Sequence, residues 1–299
     1  MEVLGELRRR ELIVVTGKGG VGKTTVAAAL GKGLAAAGRR TLVLEVDPRE
    51  NLHQMVGLPP SGGAIVPVEP RLWVQNLKPV EVLDTVVREQ LKVELLVKRV
   101  LESPIYQHFA PGAPGLKEMA ILGHALRLLR GVGGAAAAPA LDTVVLDAPA
   151  TGHGVLLLLA PLLVAEVIRS GPFGRMSQEL RQLVASRERC GVVVVTQAEE
   201  MPVEEALELA VALDEGLGRG ADLLVVNGLY PTLPEEGLGG GEDDPIADLW
   251  RRRRALNERQ LARLAAAWRG PRVELPLLPV ERGPRLLAAL ARHLEPAWS

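Results

Sequence analysis

The ten residues Thr16-Gly17-Lys18-Gly19-Gly20-Val21-Gly22-Lys23-Thr24-Thr25 constrain this chain more than any other segment. They follow a short apolar run at 12–16 and open an Ala-rich segment, 24–37, closed by Gly38. The first has the character of a buried strand and the second that of a helix with its C′ glycine. Glycines between a strand and a helix let the backbone curl until successive N–H groups converge on an anion, and the helix N-terminus adds a positive field. The loop is therefore expected to hold nucleotide phosphates through Gly17, Gly19, Gly20, Val21, Gly22, Lys23, Thr24 and Thr25. Lys23 would reach the β- and γ-phosphates, and the Thr24 hydroxyl would ligate Mg²⁺.

The rest of the chain repeats this alternation. Runs at 41–46, 143–147, 192–196 and 223–227 have the composition of buried strands, and a last strand near 272–275 precedes a terminal helix at 284–294. Repeated strand–helix–strand units predict an α/β fold: a P-loop NTPase whose mostly parallel, twisted sheet carries helices on both faces. Residues 79–130 break the rhythm with helical spacing, a Pro/Gly stretch at 111–115 and a second helical segment at 116–129. This is taken as a small helical insertion on one domain spanning 1–299. Residues 131–139 form a low-complexity connector, and 237–244 an acidic, Gly-rich surface loop. With no internal repeat, one nucleotide site per chain is expected.

Composition bears on partners. Lys and Arg number 35 against 36 Asp and Glu, so no global charge draws the chain to nucleic acid or anionic lipid. Cys190 is the single cysteine, which leaves no intrachain disulfide and no all-cysteine metal site. The charged opening residues do not fit a signal peptide, and the apolar run at 155–168, interrupted by Pro161 and Glu166, is too short to span a bilayer. A cytoplasmic chain is expected.

Two acids complete the chemistry. Asp47 follows the second strand and would face the γ-phosphate, where it can position water. Asp147 closes an apolar strand and would lie toward the magnesium shell. After it, the Pro-Ala-Thr-Gly segment suggests a loop that moves when the γ-phosphate is lost.

Lys18 then carries a resemblance. An ordinary phosphate loop needs one lysine, yet here a second follows the first glycine. The run from Lys18 to Thr25 resembles the deviant Walker A motif, in which the early lysine crosses a dimer interface to nucleotide bound by the other subunit. With Asp47-Pro48-Arg49-Glu50-Asn51 and Asp147-Ala148-Pro149-Ala150-Thr151-Gly152-His153, the chain is similar to the ArsA/guided-entry ATPases, a family of arsenical-pump and tail-anchored-protein targeting ATPases. That resemblance implies a Mg²⁺-dependent ATP phosphohydrolase working as a nucleotide-switched homodimer coupled to a protein client. It implies catalytic roles for Lys18, Lys23 and Asp47, a switch II comprising Pro149, Thr151, Gly152 and His153, and water-mediated Mg²⁺ binding by Asp147. Asn227 resembles the family's adenine contact, and Pro276, Leu278 and Pro279 its second adenine-side loop.

The chain departs from the family in lacking a Cys-x-x-Cys zinc clasp and the several cysteines of arsenite-sensing members. It is also a single copy rather than two fused halves. Other functions share the fold: a positioning or partitioning ATPase that binds DNA or membrane in its ATP state, and an ATP-dependent ligase or kinase. An iron–sulfur reductase subunit would need two cysteines per chain.

Smaller signals take structural explanations. The run at 155–168 is expected to be a core helix, the four arginines 251–254 a solvated surface, and Trp73 a strand residue. His53, His108, His124, His153 and His293 have no metal-ligand spacing.

Overall fold

The computed structural model describes residues 6–47, 49–78, 81–82, 98, 102–103, 115–132, 140–149, 154–167, 169–232 and 245–294. Eight strands form one sheet in the order β3-β4-β2-β5-β1-β6-β7-β8. They are β1 (Leu12–Gly17), β2 (Thr41–Glu45), β3 (Val66–Glu69), β4 (Leu72–Asn76), β5 (Thr143–Asp147), β6 (Cys190–Thr196), β7 (Leu223–Leu229) and β8 (Arg272–Pro276). All neighbours are parallel except β3 and β4. The inner parallel strands β1, β2, β5 and β6 are buried along nearly their whole length, as expected for a sheet covered on both faces, whereas the edge strand β8 buries only Leu275.

Helices α1 (Lys23–Ala36), α2 (Asn51–Met55) and α8 (Pro284–Leu294) cover one face. Val26, Leu30 and Leu34 of α1 and Leu287, Leu290 and Leu294 of α8 meet the outward residues Ile13, Val43 and Val145 there. The opposite face carries α3 (Leu116–Leu129), α4 (Gly154–Val167), α5 (Gly171–Ala185), α6 (Glu200–Leu217) and α7 (Pro245–Ala267). Its core joins Leu42, Leu44 and Leu146 of the sheet to Leu122 of α3, Leu157 of α4, Leu180 of α5 and Leu264 of α7.

The five strands expected first appear within one or two residues of their expected ends, and α3 and α8 occupy 116–129 and 284–294. The antiparallel edge strand β3 was not foreseen. It has only four residues and contains Pro67; Val66 and Val68 pack against the core at alternate positions, but two apolar positions are too few to mark a strand, and proline is tolerated there because one edge of the strand is unpaired. Of the expected insertion, α3 is built into the core through Met119, Ile121, Leu122 and Leu126, whereas 79–80, 83–97, 99–101 and 104–114 lie outside the described residues. Most of the connector (133–139) and all of the acidic loop (237–244) also lie outside them.

Helix α4 only partly matches a core helix: Leu157, Leu158 and Ala160 are buried, but Leu163 is 50% exposed. The arginines of α7 diverge around its axis. Arg252 pairs with Asp248, Arg253 with Glu199, and Arg254 with Glu258 and the Tyr230 carbonyl. Among the described residues no helix is long and apolar enough to cross a membrane.

Candidate nucleotide site

Strand β1 lies between β5 and β6, so the chain crosses to opposite sides of it in forming the sheet. Ligands of open α/β sheets bind at the carboxyl ends of the strands at such a switch point, and here that position is filled by the loop between β1 and α1. Gly17, Gly20 and Gly22 have positive φ. Two of them are also held by close approach: a Cβ on Gly17 would stand 2.2 Å from the Val195 carbonyl oxygen, and one on Gly22 would stand 2.3 Å from Asn227 Nδ2. Any larger side chain at either position would push the loop off the sheet.

No side chain caps α1 and no acidic residue occupies its first turn. Its N-terminal N–H groups and the positive end of its dipole are left facing the loop. Lys23, buried at 6% exposure, donates from Nζ to the Lys18 carbonyl at 2.9 Å, inside the curl of the loop. Burial lowers the Lys23 pKa, while Asp147 and Asp47 favour its charged form.

A cleft of about 500 Å³ opens above this loop. Its walls come from Gly20, Gly22, Lys23, Thr24 and Thr25 on one side and from Asp47, Arg49 and α2 on another; Asp147, Ala148 and Pro149 close a third, and Arg282 stands at the rim. Thr24 Oγ1 donates to Asp147 Oδ2 at 2.6 Å. The other carboxylate oxygen, Asp147 Oδ1, is buried and has no hydrogen-bond partner. Burial, which outweighs the Thr24 hydrogen bond and Lys23, pushes the Asp147 pKa up to about 6. A buried anion with a bare oxygen beside a threonine hydroxyl suits a hard divalent cation, so this pair fits Mg²⁺.

The site extends along the sheet edge. Asn76, Glu45 and Asp147 end β4, β2 and β5, and the parallel registers place Glu45 opposite both of the others. Glu45 is fully buried, and burial raises its pKa to about 7 against hydrogen bonds from Asn76 and Leu52. Asp47, two residues on, accepts the Arg49 N–H on Oδ1 at 2.7 Å.

A sequence profile of the family described as anion-transporting ATPase matches residues 10–184, more than half of the chain. This chain belongs to that family. The chain is 30% identical over 206 residues to ATPase BagA of Mycobacterium tuberculosis, a match covering 66% of this chain and 59% of BagA. It is 26% identical over 255 residues to the arsenical pump-driving ATPase of Acidiphilium multivorum, covering 79% of this chain and 42% of that protein. With ATPase GET3C of Arabidopsis thaliana the identity is 27% over 172 residues, covering 52% and 42%. The chain thus spans between 42% and 59% of the length of these relatives.

Of the residues expected at the site, Gly20, Gly22, Lys23, Thr24, Thr25, Asp47, Asp147 and Pro149 line one cleft, whereas Gly17, Gly19 and Val21 of the loop do not line it. Thr151, Gly152 and His153 lie outside the described residues, as does His108. Asn227 sits beneath the loop and donates from Nδ2 to the Val21 carbonyl at 2.9 Å. Pro276 ends β8 opposite Leu229 of β7, and Leu278 and Pro279 follow it; neither these three nor Asn227 line the described cleft. Lys18 points the other way, to Glu205 on α6 at 2.6 Å. Glu45, Asn76, Glu205 and Arg282 escaped the sequence reading. Only Glu45 left a signal, a charge within the largely apolar run at 41–46.

Proposed function

We propose that this chain binds ATP with Mg²⁺ and hydrolyses it, and that nucleotide switches a homodimer that captures and releases a protein client. The observation that carries the ATP reading is the pairing of Thr24 with Asp147, whose second oxygen is buried and unpartnered, directly beside Lys23 and the uncapped start of α1. Membership of a family of ATPases points the same way.

In this reading the loop N–H groups and Lys23 hold the β- and γ-phosphates, and Thr24 and Asp147 hold Mg²⁺. The metal supplies neutralisation of charge on the phosphate oxygens. Asp47 orients the attacking water from the opposite wall. Lys18 adds charge to the transferring phosphoryl group of nucleotide on the partner subunit. Pro149, with Thr151, Gly152 and His153 after it, reports loss of the γ-phosphate. Asn227, Pro276, Leu278 and Pro279 form the adenine side.

The proposed client is a protein rather than an arsenical, because Cys190, the single cysteine of the sequence, is fully buried at the start of β6. The test is Mg²⁺-dependent phosphate release by the purified chain, with mass in solution measured by light scattering in the presence of a non-hydrolysable ATP analogue. Phosphate release abolished by Lys23→Ala, together with an analogue-dependent dimer, is expected. Turnover that survives Lys23→Ala would remove the ATP reading, and a chain that stays monomeric with analogue would remove the dimer.

A further inference from the structure

The side chain of Glu45 makes two hydrogen bonds that converge on the segment around Asp47. Its Oε1 accepts the Leu52 N–H at 3.0 Å, in the first turn of α2, and its Oε2 accepts from Asn76 Nδ2 at 3.1 Å. The second Asn76 amide hydrogen goes to the Asp47 main-chain carbonyl at 2.5 Å. Asn76 is 1% exposed and Glu45 0%. The two residues face each other because β2 and β4 run parallel with Glu45 opposite Asn76, and both project onto the α1 face.

We propose that Glu45 and Asn76 are positioning residues for hydrolysis, a buried clamp that fixes the main chain at both ends of the segment from Asp47 to α2 and so sets where the Asp47 carboxylate stands. The proposal rests on the reading of Asp47 as the group that orients water. The chain from Asp47 to α2 is short, and Glu50 within it donates its N–H to the Asp47 carbonyl at 3.3 Å and accepts the Ser61 N–H on Oε2 at 2.8 Å. The segment is also held by the carbonyl of its first residue, by the Arg49 N–H on Asp47 Oδ1, and by the N–H at the start of α2.

The bonding pattern allows no simple substitute. The one amide group of Asn76 serves two acceptors, a carboxylate and a carbonyl, and needs both of its hydrogens. A glutamine at 45 would turn an N–H₂ toward either Leu52 N–H or Asn76 Nδ2, replacing one hydrogen bond by two opposed donors. Neither Glu45 nor Asn76 lines the cleft, so losing them moves Asp47 without removing any group that touches the nucleotide. Misplacing a catalytic group by about 1 Å costs on the order of 100-fold in rate.

The experiment compares Glu45→Gln, Asn76→Ala, Asp47→Ala and the double variant Asn76→Ala/Asp47→Ala in the full chain. It measures kcat and KM for Mg-ATP, affinity for a fluorescent ATP analogue, and thermal midpoint. For Glu45→Gln and Asn76→Ala, kcat is expected to fall about 10- to 100-fold while KM and analogue affinity stay within about threefold. In the Asp47→Ala background, Asn76→Ala is expected to cost nothing further, because the group it positions is gone. If either clamp variant fails to fold, the other carries the test. Unchanged kcat in a folded clamp variant, with Asp47→Ala inactive, overturns the clamp alone. Full turnover in Asp47→Ala overturns the reading of Asp47, and the clamp with it. A parallel loss of analogue affinity and kcat also overturns the clamp, since it would mark a general collapse of the site.

Discussion

Lys18 Nζ lies 2.6 Å from Glu205 Oε1 on α6 of the same chain, so the lysine expected to act across a subunit interface is engaged within its own subunit. Both side chains are about one-third exposed, at 32% and 38%. An ion pair so open to solvent is worth at most about 1 kcal/mol, enough to bias Lys18 but not to lock it.

Glu205→Ala is therefore expected to leave fold stability within about 1 kcal/mol in urea denaturation. If Lys18 serves the partner subunit, two such pairs are released per dimer, and removing them should lower the protein concentration at which the ATP analogue gives half-dimer by up to about 25-fold. Light scattering across a concentration series measures this. A midpoint that does not move would mean that the Lys18–Glu205 pair does not compete with assembly.

Lys23 is buried and its charge is disfavoured by that burial. Removing it should not weaken the empty protein. Lys23→Met is expected to keep or slightly raise the thermal midpoint without nucleotide, and to lose the rise that Mg-ATP produces in the unaltered chain. Thermal unfolding with and without Mg-ATP distinguishes this from a structural lysine, whose replacement would lower the midpoint in both conditions.

His124 on α3 hydrogen-bonds through Nε2 to Gln75 Oε1 at 3.0 Å, and Gln75 Nε2 donates to the Gly63 carbonyl at 2.9 Å. Because Gln75 presents its oxygen, His124 is the neutral tautomer with hydrogen on Nε2. Burial, with Arg127 nearby, pushes its pKa down to about 4 from 6.5. Between those values the unfolded chain binds a proton that the folded chain does not, so this group's contribution falls as pH drops from about 6.5 to about 4. The loss should be on the order of 2–3 kcal/mol. The difference between the unaltered chain and His124→Gln in denaturation from pH 7 to 4 isolates it from Glu45, whose raised pKa acts in the opposite sense. Parallel pH curves for the two proteins would refute the assignment.

Asp222 Oδ2 accepts from Arg219 Nη2 at 2.5 Å and from the Val192 N–H at 2.8 Å, and Arg219 also donates to the Cys190 carbonyl at 2.9 Å. Both charged side chains are nearly fully buried, at 3% and 4% exposure. Asp222→Ala would strand the Arg219 charge between β6 and α6, and should cost about 3–5 kcal/mol in urea denaturation with nucleotide affinity unchanged in the folded fraction. A cost below about 1 kcal/mol would show that water reaches the guanidinium.

The sequence by itself determined the local frame of this protein. Strand, glycine loop and helix are consecutive in the chain, so Gly17–Thr25 were legible as a phosphate site before any packing was known. The buried strands were legible because a parallel sheet covered on both faces demands unbroken apolar runs. Asp47 and Asp147 stood out because each closes such a run.

Only the tertiary structure decided how distant residues meet. The Glu45–Asn76 pair depends on the β2–β4 register across 31 positions, and Thr24–Asp147 joins residues 123 apart. Lys18 meets Glu205 across 187 positions. Edge strand β3 also emerged only there, since its pairing with β4 defines it and its four residues are too few to mark a strand in the sequence. Periodicity in a sequence reports which side of an element is buried. It does not report which elements are neighbours, and it is neighbouring strands that bring a buried carboxylate to the amide it needs.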